Sequence, residues 1–389
     1  MTIPRPRAIL ALLALLAALG TPVLSGCGSE DSGSATAAPA GTGTATAAAT
    51  AESADEPATT ADTATTAADE SAPYADQIPE GPNPAAPGKT IGLISITQAS
   101  ELFPREEAAF REAAQALGWS VKTVDLQGDP SRAPAAVQNL MQAGVDGIVL
   151  ESVEPIFLGP AAAQAKKRGI PIVATLVGTP ASQSDGALLS SVVEPLAEES
   201  VELAERMIAD AGGQGQVAII GDEISPVGVI PEKAMREAVD GRMEVVAEHQ
   251  IDYTKLAADA HEVAQQWLVQ HPQLSAIWCP YDGACVGAAE AVAAAGKDVG
   301  VYAFNGSQGT VDLIRQGAKY VSMAAPVEYA AYLALDALNL AFNGEDVAPD
   351  LTLHDQLTDA DNVPESGVVD GTSLYGDFRS AYASRWGVE

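Results

Sequence analysis

Along residues 90–323 two hydrophobic periods take turns. Short runs of consecutive apolar residues, the pattern of strands buried on both faces, alternate with longer stretches in which apolar positions recur every three or four residues. The first runs fall at 90–96, 121–126, 147–150 and 171–174, separated by helical stretches at 104–117, 131–143 and 156–168. After a further run at 190–193 the alternation restarts, with helices at 195–211, 231–239, 256–269 and 283–295 between runs at 216–220, 243–247, 274–278, 299–303 and 320–323. Gly118 directly follows Leu117, where a helix that ends in the left-handed conformation places glycine. Strands joined through helices of about a dozen residues make right-handed βαβ units and a parallel sheet covered on both sides. The pattern therefore predicts an α/β protein of two Rossmann-like lobes, each with a parallel sheet, sharing a hinge. Open parallel sheets bind ligands beyond the carboxyl ends of their strands, so the candidate site is a cleft where the two sheets face each other.

The first 88 residues follow neither period. Arg5 and Arg7 precede an apolar run at 8–19, which is shorter than the roughly 20 residues a spanning helix needs, so residues 1–27 read as an export signal. Its end, Leu24-Ser25-Gly26-Cys27, resembles the bacterial lipobox, which implies lipidation of Cys27 and anchoring to the cell membrane on the extracytoplasmic side. The plainer alternative is cleavage at a small residue with Cys27 incidental. Residues 28–88 are rich in Ala, Thr, Ser, Gly and Pro and carry ten acids but no Lys or Arg. Such a stretch buries too little surface to offset chain entropy, and is expected to be a disordered tether with a root-mean-square span of about 45 Å.

Composition removes several function classes. The 389 residues hold 20 Lys+Arg against 52 Asp+Glu, a formal charge of −32. Nucleic-acid binding needs clustered cations to displace counterions, so it is excluded as a partner class. Three cysteines cannot staple a scaffold or build a multi-cysteine zinc module. His249, His261, His271 and His354 show no metalloprotease spacing, and no nucleophile elbow, phosphate loop or dinucleotide fingerprint is present. Gly212-Gly213-Gln214-Gly215 stands between helix and strand, the wrong order for cradling phosphate. Neither an enzyme, a cofactor nor a metal is expected. Cys279 and Cys285 lie at a strand end and a helix start. Burial as small apolar residues is the blander reading of the two, and a disulfide the alternative.

Several segments resemble one family. Asp146-Gly147-Ile148-Val149-Leu150 and the stretch from Ala165 through Gly169-Ile170-Pro171-Ile172-Val173 are similar to the first lobe of type I periplasmic binding proteins. Tyr281-Asp282-Gly283-Ala284 with Gly287-Ala288 resembles that family's Asn-Asp-x-x-Ala-x-Gly-Ala segment, and Phe304-Asn305-Gly306 its Phe-Asp-Gly strand end. The resemblance runs in order from residue 91 to 344 and is closest to the ribose-type, sugar-binding branch. It implies a monomeric substrate-binding lipoprotein that closes on a small solute and delivers it to the permease of an ABC importer. A sensory variant, presenting the solute to a membrane signalling receptor, is the alternative. The family's topology implies an N-terminal lobe over 89–191, to which 326–348 returns, and a C-terminal lobe over 192–325. That topology also implies a multi-strand hinge, with crossings near 191–194, 324–326 and 347–351, and a C-terminal extension over 349–389, whose Tyr375, Phe378, Tyr382 and Trp386 are expected to be buried.

The cleft departs from that family. Its Asp-Arg pair after the fourth strand falls at Leu176 and Val177, its Asn before Asp282 is Tyr281, its acid before Gly306 is Asn305, and a hinge Gln reads as Ala325. Its second-lobe Arg falls near Pro231, with Lys233 and Arg236 out of register. What remains is aromatic and acidic: Phe103, Tyr253 and Tyr281, with Glu151, Glu154, Asp222, Glu223 and Asp282 just after strands. The ligand-binding candidates are Phe103, Glu151, Asp222, Tyr253, Tyr281, Asp282 and Asn305. Core packing is the ordinary alternative for the rings, Phe304 above all, and helix capping for the acids. A cleft with acids and few cations repels anions, so the expected ligand is neutral or cationic, sugar-like or more apolar than a pentose.

Overall fold

The computed structural model describes residues 72–252 and 255–388. The export signal, Cys27, most of the tether and Tyr253 lie outside the described residues. The first sheet is laid down as β1 (Thr90–Ser95), α1 (Leu102–Ala116), β2 (Ser120–Asp125), α2 (Ala133–Gln142), β3 (Gly147–Glu151), α3 (Pro160–Lys167), β4 (Ile172–Thr175) and β5 (Ser190–Val193). The chain then enters the second sheet through α4 (Leu196–Asp210), β6 (Gly215–Gly221), α5 (Pro226–Val239), β7 (Met243–Gln250), α6 (Ala257–Gln270), β8 (Leu274–Trp278), α7 (Asp282–Ala295), β9 (Gly300–Phe304), α8 (Gln308–Arg315) and β10 (Tyr320–Ala324). It returns as α9 (Val327–Asn343), adds β11 (Asp350–Thr352) and β12 (Gln356–Thr358), and closes with α10 (Thr372–Tyr375) and α11 (Phe378–Trp386).

Both sheets have six strands, ordered β11-β5-β4-β3-β1-β2 and β12-β10-β9-β8-β6-β7. All pairings are parallel except that of β12 with β10. The fold is thus the α/β arrangement of two parallel-sheet lobes. Because helices cover both faces, successive strand residues feed different cores. Leu93 packs beneath α1 and α9, while the adjacent Ile94 packs against α2 and α3. The second sheet divides its side chains likewise between α6 and α7 on one face and α4 and α5 on the other. This double burial explains why the strands read as continuous apolar runs.

Three passages join the sheets. Glu194 and Pro195 lead from β5 to α4, Ala325 and Pro326 from β10 to α9, and residues 353–355 from β11 to β12. The third lies beyond the 347–351 stretch expected for it, because residues 350–352 pair with β5 as a strand of the first sheet. Two helix bounds also differ from the hydrophobic pattern. Residues 156–168 are split by Gly159 (φ 50°) into a 3-10 turn and α3. The helix expected from residue 231 begins at Pro226, since proline suits the first turn, and Pro231 is carried within it.

The tether expected to run to residue 88 does not. Residues 72–88 pack onto the first lobe. Asn83 donates to the carboxylate of Asp336 at 2.7 Å, Ala86 N–H to Asn339 at 2.9 Å, and the Tyr74 ring stacks on His354 with centroids 4.1 Å apart. The periodicity missed this because the segment is held by polar groups rather than by an apolar stripe. Its anchor is α9, which is buried on nearly all sides between the sheet, α1, residues 74–86 and α11. Asp336, inside α9, also accepts from Arg385 at 2.9 Å and from Trp386 Nε1 at 2.8 Å. Tyr375, Phe378, Tyr382 and Trp386 are fully buried against Tyr329 and Tyr332 of α9. Removing one partner of a buried ion pair strands the other charge. Asp336→Ala is therefore expected to destabilise the protein by about 3 kcal/mol or more, read as a lowered midpoint in urea denaturation.

Candidate functional site

The first lobe presents a polar row at the ends of its strands. Register places Ser95 beside Glu151, Glu151 beside Thr175, and Thr175 beside Val192, two residues before Glu194. Strand side chains alternate faces, so this row continues the face of Leu93, Val149, Val173 and Val192, which α1 and α9 cover. Glu106 lies over the row from α1. It occupies the helix's buried stripe with Leu102, Ala109, Phe110 and Ala113, where an apolar residue would be ordinary. Glu106 and Glu151 are both completely buried, and none of their carboxylate oxygens accepts a hydrogen bond of ordinary geometry. Burial and the neighbouring Glu151 hold Glu106 well above the usual carboxylate range, and burial pushes Glu151 up to about 8.

In the second lobe the acids after strands are committed to their own loops. Asp222, 2 % exposed, accepts from the N–H groups of Ile224 at 2.9 Å and Ser225 at 3.3 Å, and from the Tyr281 hydroxyl at 3.3 Å. The close approach needs Gly228, whose Cβ would fall 2.5 Å from that of Asp222. Asp282 opens α7 and accepts from Ser307 N–H at 2.6 Å and from the Tyr320 hydroxyl at 3.0 Å. Burial nonetheless raises Asp282 to about 6, against those stabilising bonds. Asn305 adopts φ 97°, and its backbone bonds to Met323 and Ala325 tie the end of β9 to the second passage. Gly306 follows, where a Cβ would stand 2.3 Å from that of Ala324.

Among the described residues the lobes approach each other at Glu101 with Gly309 and at Gly178 with Pro226. Glu101 Oε2 accepts from Gly309 N–H at 3.3 Å, and a Cβ on Gly178 would stand 2.6 Å from that of Pro226. Within the second lobe the structure joins Tyr281 with Asp222, and gathers Asp282 with Ser307 and Tyr320. Glu151 belongs to the separate carboxyl row, Phe103 is half-buried against the first-lobe core, and Phe304 is core. Glu154 accepts from Gly178 N–H at 2.7 Å. Lys233 and Arg236 are held by Glu237, and by Glu232 and Glu248. The pattern of residues missed Glu101, Glu106, Glu199 and Asp355. An acid on the apolar stripe of α1 was the available signal for Glu106. The others depend on contacts that no local pattern carries.

Of the two readings left open for the cysteines, the alternative holds, and both residues are buried as well. Cys279 and Cys285 are disulfide-bonded, with Cα atoms 5.9 Å apart. A strand end followed within one turn by a helix start brings the two Cβ atoms together, within the 4.4–6.8 Å Cα range a bridge requires. The bridge encloses Tyr281 and Asp282, so it braces the loop that carries both.

Residues 91–346 match the profile of the periplasmic binding protein domain. The ribose import binding protein of Bacillus subtilis is 24% identical over 260 residues, covering 66% of this chain and 83% of that protein. The xylitol-binding protein of Mycolicibacterium smegmatis is 27% identical over 276 residues, covering 67% and 74%. Among solved structures, an ABC transporter periplasmic solute binding protein from Actinobacillus succinogenes with bound D-allose superposes with a TM-score of 0.65 at 20% identity, covering 70% of this chain and 98% of that one. This last likeness is one of fold.

Opening the short disulfide loop costs conformational order. Replacing Cys279 and Cys285 together by serine is expected to lower stability by about 2 kcal/mol, read in urea denaturation, and to raise hydrogen exchange in the loop between them.

Proposed function

Because the chain belongs to the periplasmic binding protein family, we propose that it captures a small neutral or cationic polyhydroxyl solute between its lobes and delivers it to an ABC permease. The observation that carries this reading is the balance of donors and acceptors between the sheets. Carboxylates and amides stand at the strand ends, while the nearby cations are neutralised. Arg105 is bidentate to Glu328, and Arg315 bonds Asp312 as well as two backbone carbonyls. Sugar hydroxyls donate readily to such acceptors, each charged hydrogen bond contributing about 1.5–3 kcal/mol. An anion would meet acceptors and a negative field instead.

The ligands named for similar proteins, ribose, xylitol and D-allose, share this chemistry. In this reading Phe103 and Tyr281 offer ring faces to the C–H surface of the solute, Asp222 and Asn305 its hydrogen-bond partners, and Asp282 the frame that fixes Tyr281. Tyr253 belongs to the same proposed set. Outside the cytoplasm, lipidation at Cys27 and the tether ahead of residue 72 would hold a monomeric receptor near its permease. Among the described residues no helix is long and apolar enough to cross a membrane.

Calorimetric titration with ribose, D-allose, xylitol and myo-inositol is expected to give binding, with none for sulfate or phosphate. Phe103→Ala and Asp222→Ala should each weaken the bound sugar roughly tenfold or more, about 1.5 kcal/mol. Tight sulfate binding, or unchanged sugar affinity in both folded variants, would sink the proposal.

A further inference from the structure

Five carboxyl groups form a continuous chain where the lobes join. Glu106 and Glu151 make its first-lobe end. Glu194, in the first passage, follows, then Asp355 in the third passage, then Glu199 in the first turn of α4 on the second lobe. Glu106 and Glu151 meet side chain to side chain, as do Glu194 and Asp355, and Glu194 also acts on Glu106. Glu199 Oε1 accepts from Asp355 N–H at 2.9 Å, but its other oxygen and both oxygens of Asp355 accept nothing from the protein. Two carboxyl groups bond each other only when one of them carries a proton.

The surroundings offer no countercharge. Arg105 pairs with Glu328 through Nε and Nη2 and donates to the Val369 carbonyl, while its buried Nη1 bonds none of the five carboxyl groups. Glu328 itself faces Glu106, while Glu107 and Asp125 face Glu151. Glu198 and Glu202 face Glu199 from α4, and the Tyr375 phenol lies near Asp355. The Ser95 hydroxyl beside Glu151 donates to the Thr97 carbonyl, and the Thr175 hydroxyl beside Glu106 makes no well-formed bond. His354, next to Asp355, is partly buried against Tyr74, and desolvation lowers its basicity. Buried carboxylates without donors or cations are costly, and a proton is the cheapest relief.

We propose that the hinge is proton-linked: the closed arrangement of its passages holds protons on Glu194, Glu199 and Asp355 that an opened hinge, with these groups hydrated, releases. The proposal rests on reading the protein as a hinged two-lobe receptor. Glu106 and Glu151 lie within one lobe and stay together in either state, so they do not report the motion. The three hinge groups belong to two passages and to the second lobe, so opening separates and hydrates them. Burial pushes Glu194 up to about 7 and Glu199 to about 8, and moves Asp355 the same way. A carboxyl raised in the closed state favours closure fully below its ordinary value near 4.5. That advantage is lost as pH climbs toward 7–8. Each such group shifts the closed-to-open ratio about tenfold per pH unit across the window.

The test needs no solute. Dyes on Gln142→Cys in α2 and Gln266→Cys in α6, both exposed positions on opposite lobes, report the interlobe distance of the full-length protein by energy transfer. Between pH 5 and pH 8 the short-distance population should fall at least tenfold. The Glu194→Gln, Glu199→Gln, Asp355→Asn triple variant should keep it at every pH. Infrared spectra at pH 6 should show protonated-carboxyl carbonyl bands in the wild type that the triple variant loses in part, leaving those of Glu106 and Glu151. A distance that does not move with pH, a pH response equal in the triple variant, or no difference in the carbonyl bands would overturn the proposal. A protein that captured no sugar would leave these readings intact, so the two proposals fail separately.

Discussion

Two sheets joined by three chain passages must place polar backbone in the interior, and that constraint shapes the rest of the molecule. The passages are held side by side by the pairing of β11 with β5 in one sheet and of β12 with β10 in the other. Where strands end, their apolar layers end too, and the next residues on the same face have to be something other than Leu or Val. Here they are Ser95, Glu151, Thr175 and Glu194. The carboxyl chain is therefore a continuation of the sheet's own alternation, which sets it at the one level of the structure where the lobes are connected.

The return of α9 follows from the same constraint. A helix re-entering the first lobe after the second passage arrives between the sheet, residues 74–86 and α11, so it is buried almost all round. Two polar residues on such a helix need partners. Asp336 finds Asn83, Arg385 and Trp386, and Asn339 finds Ala86 with the carbonyls of Asn83 and Pro84. The N-terminal segment is thus fixed to this helix chiefly through hydrogen bonds, while the C-terminal end adds to its own hydrogen bonds the packing of Tyr375, Phe378, Tyr382 and Trp386 on Tyr329 and Tyr332. The stacking of Tyr74 on His354 then places the last part of the N-terminal segment directly against the third passage.

Much of this was legible in the residues and some was not, for physical reasons. Strands such as Gly147–Glu151 and helices such as α4 announce themselves because their hydrophobic period is dictated by burial on defined faces. Residues 72–88 do not, because Asn83 and Ala86 are held by groups some 250 positions away. The disulfide of Cys279 and Cys285 was readable as a possibility but not as a fact, since two cysteines six apart satisfy the geometry only if the turn between them closes. The candidate acids divided along the same line. Position after a strand found Glu151, Asp222 and Asp282, yet could not tell a residue that bonds its own loop from one left without donors.

That division bears on how the cleft works. Asp222 and Asp282 are pinned by backbone N–H groups and by tyrosine hydroxyls, so in the proposed binding role their oxygens are oriented in advance. Orientation paid in advance by folding lowers the entropy a solute must lose, which is how a small pocket gains affinity from few contacts. Glu199 and Asp355 have the opposite design: beyond the Asp355 N–H on Glu199 Oε1, their carboxyl oxygens have no donor, and in the proposed hinge their state, with that of Glu194, depends on how closely the passages pack. If both proposals hold, the site is rigid where it grips and electrostatically soft where it bends, and can change its closed fraction without changing its specificity. The two properties reside in different residues, and substitution can separate them.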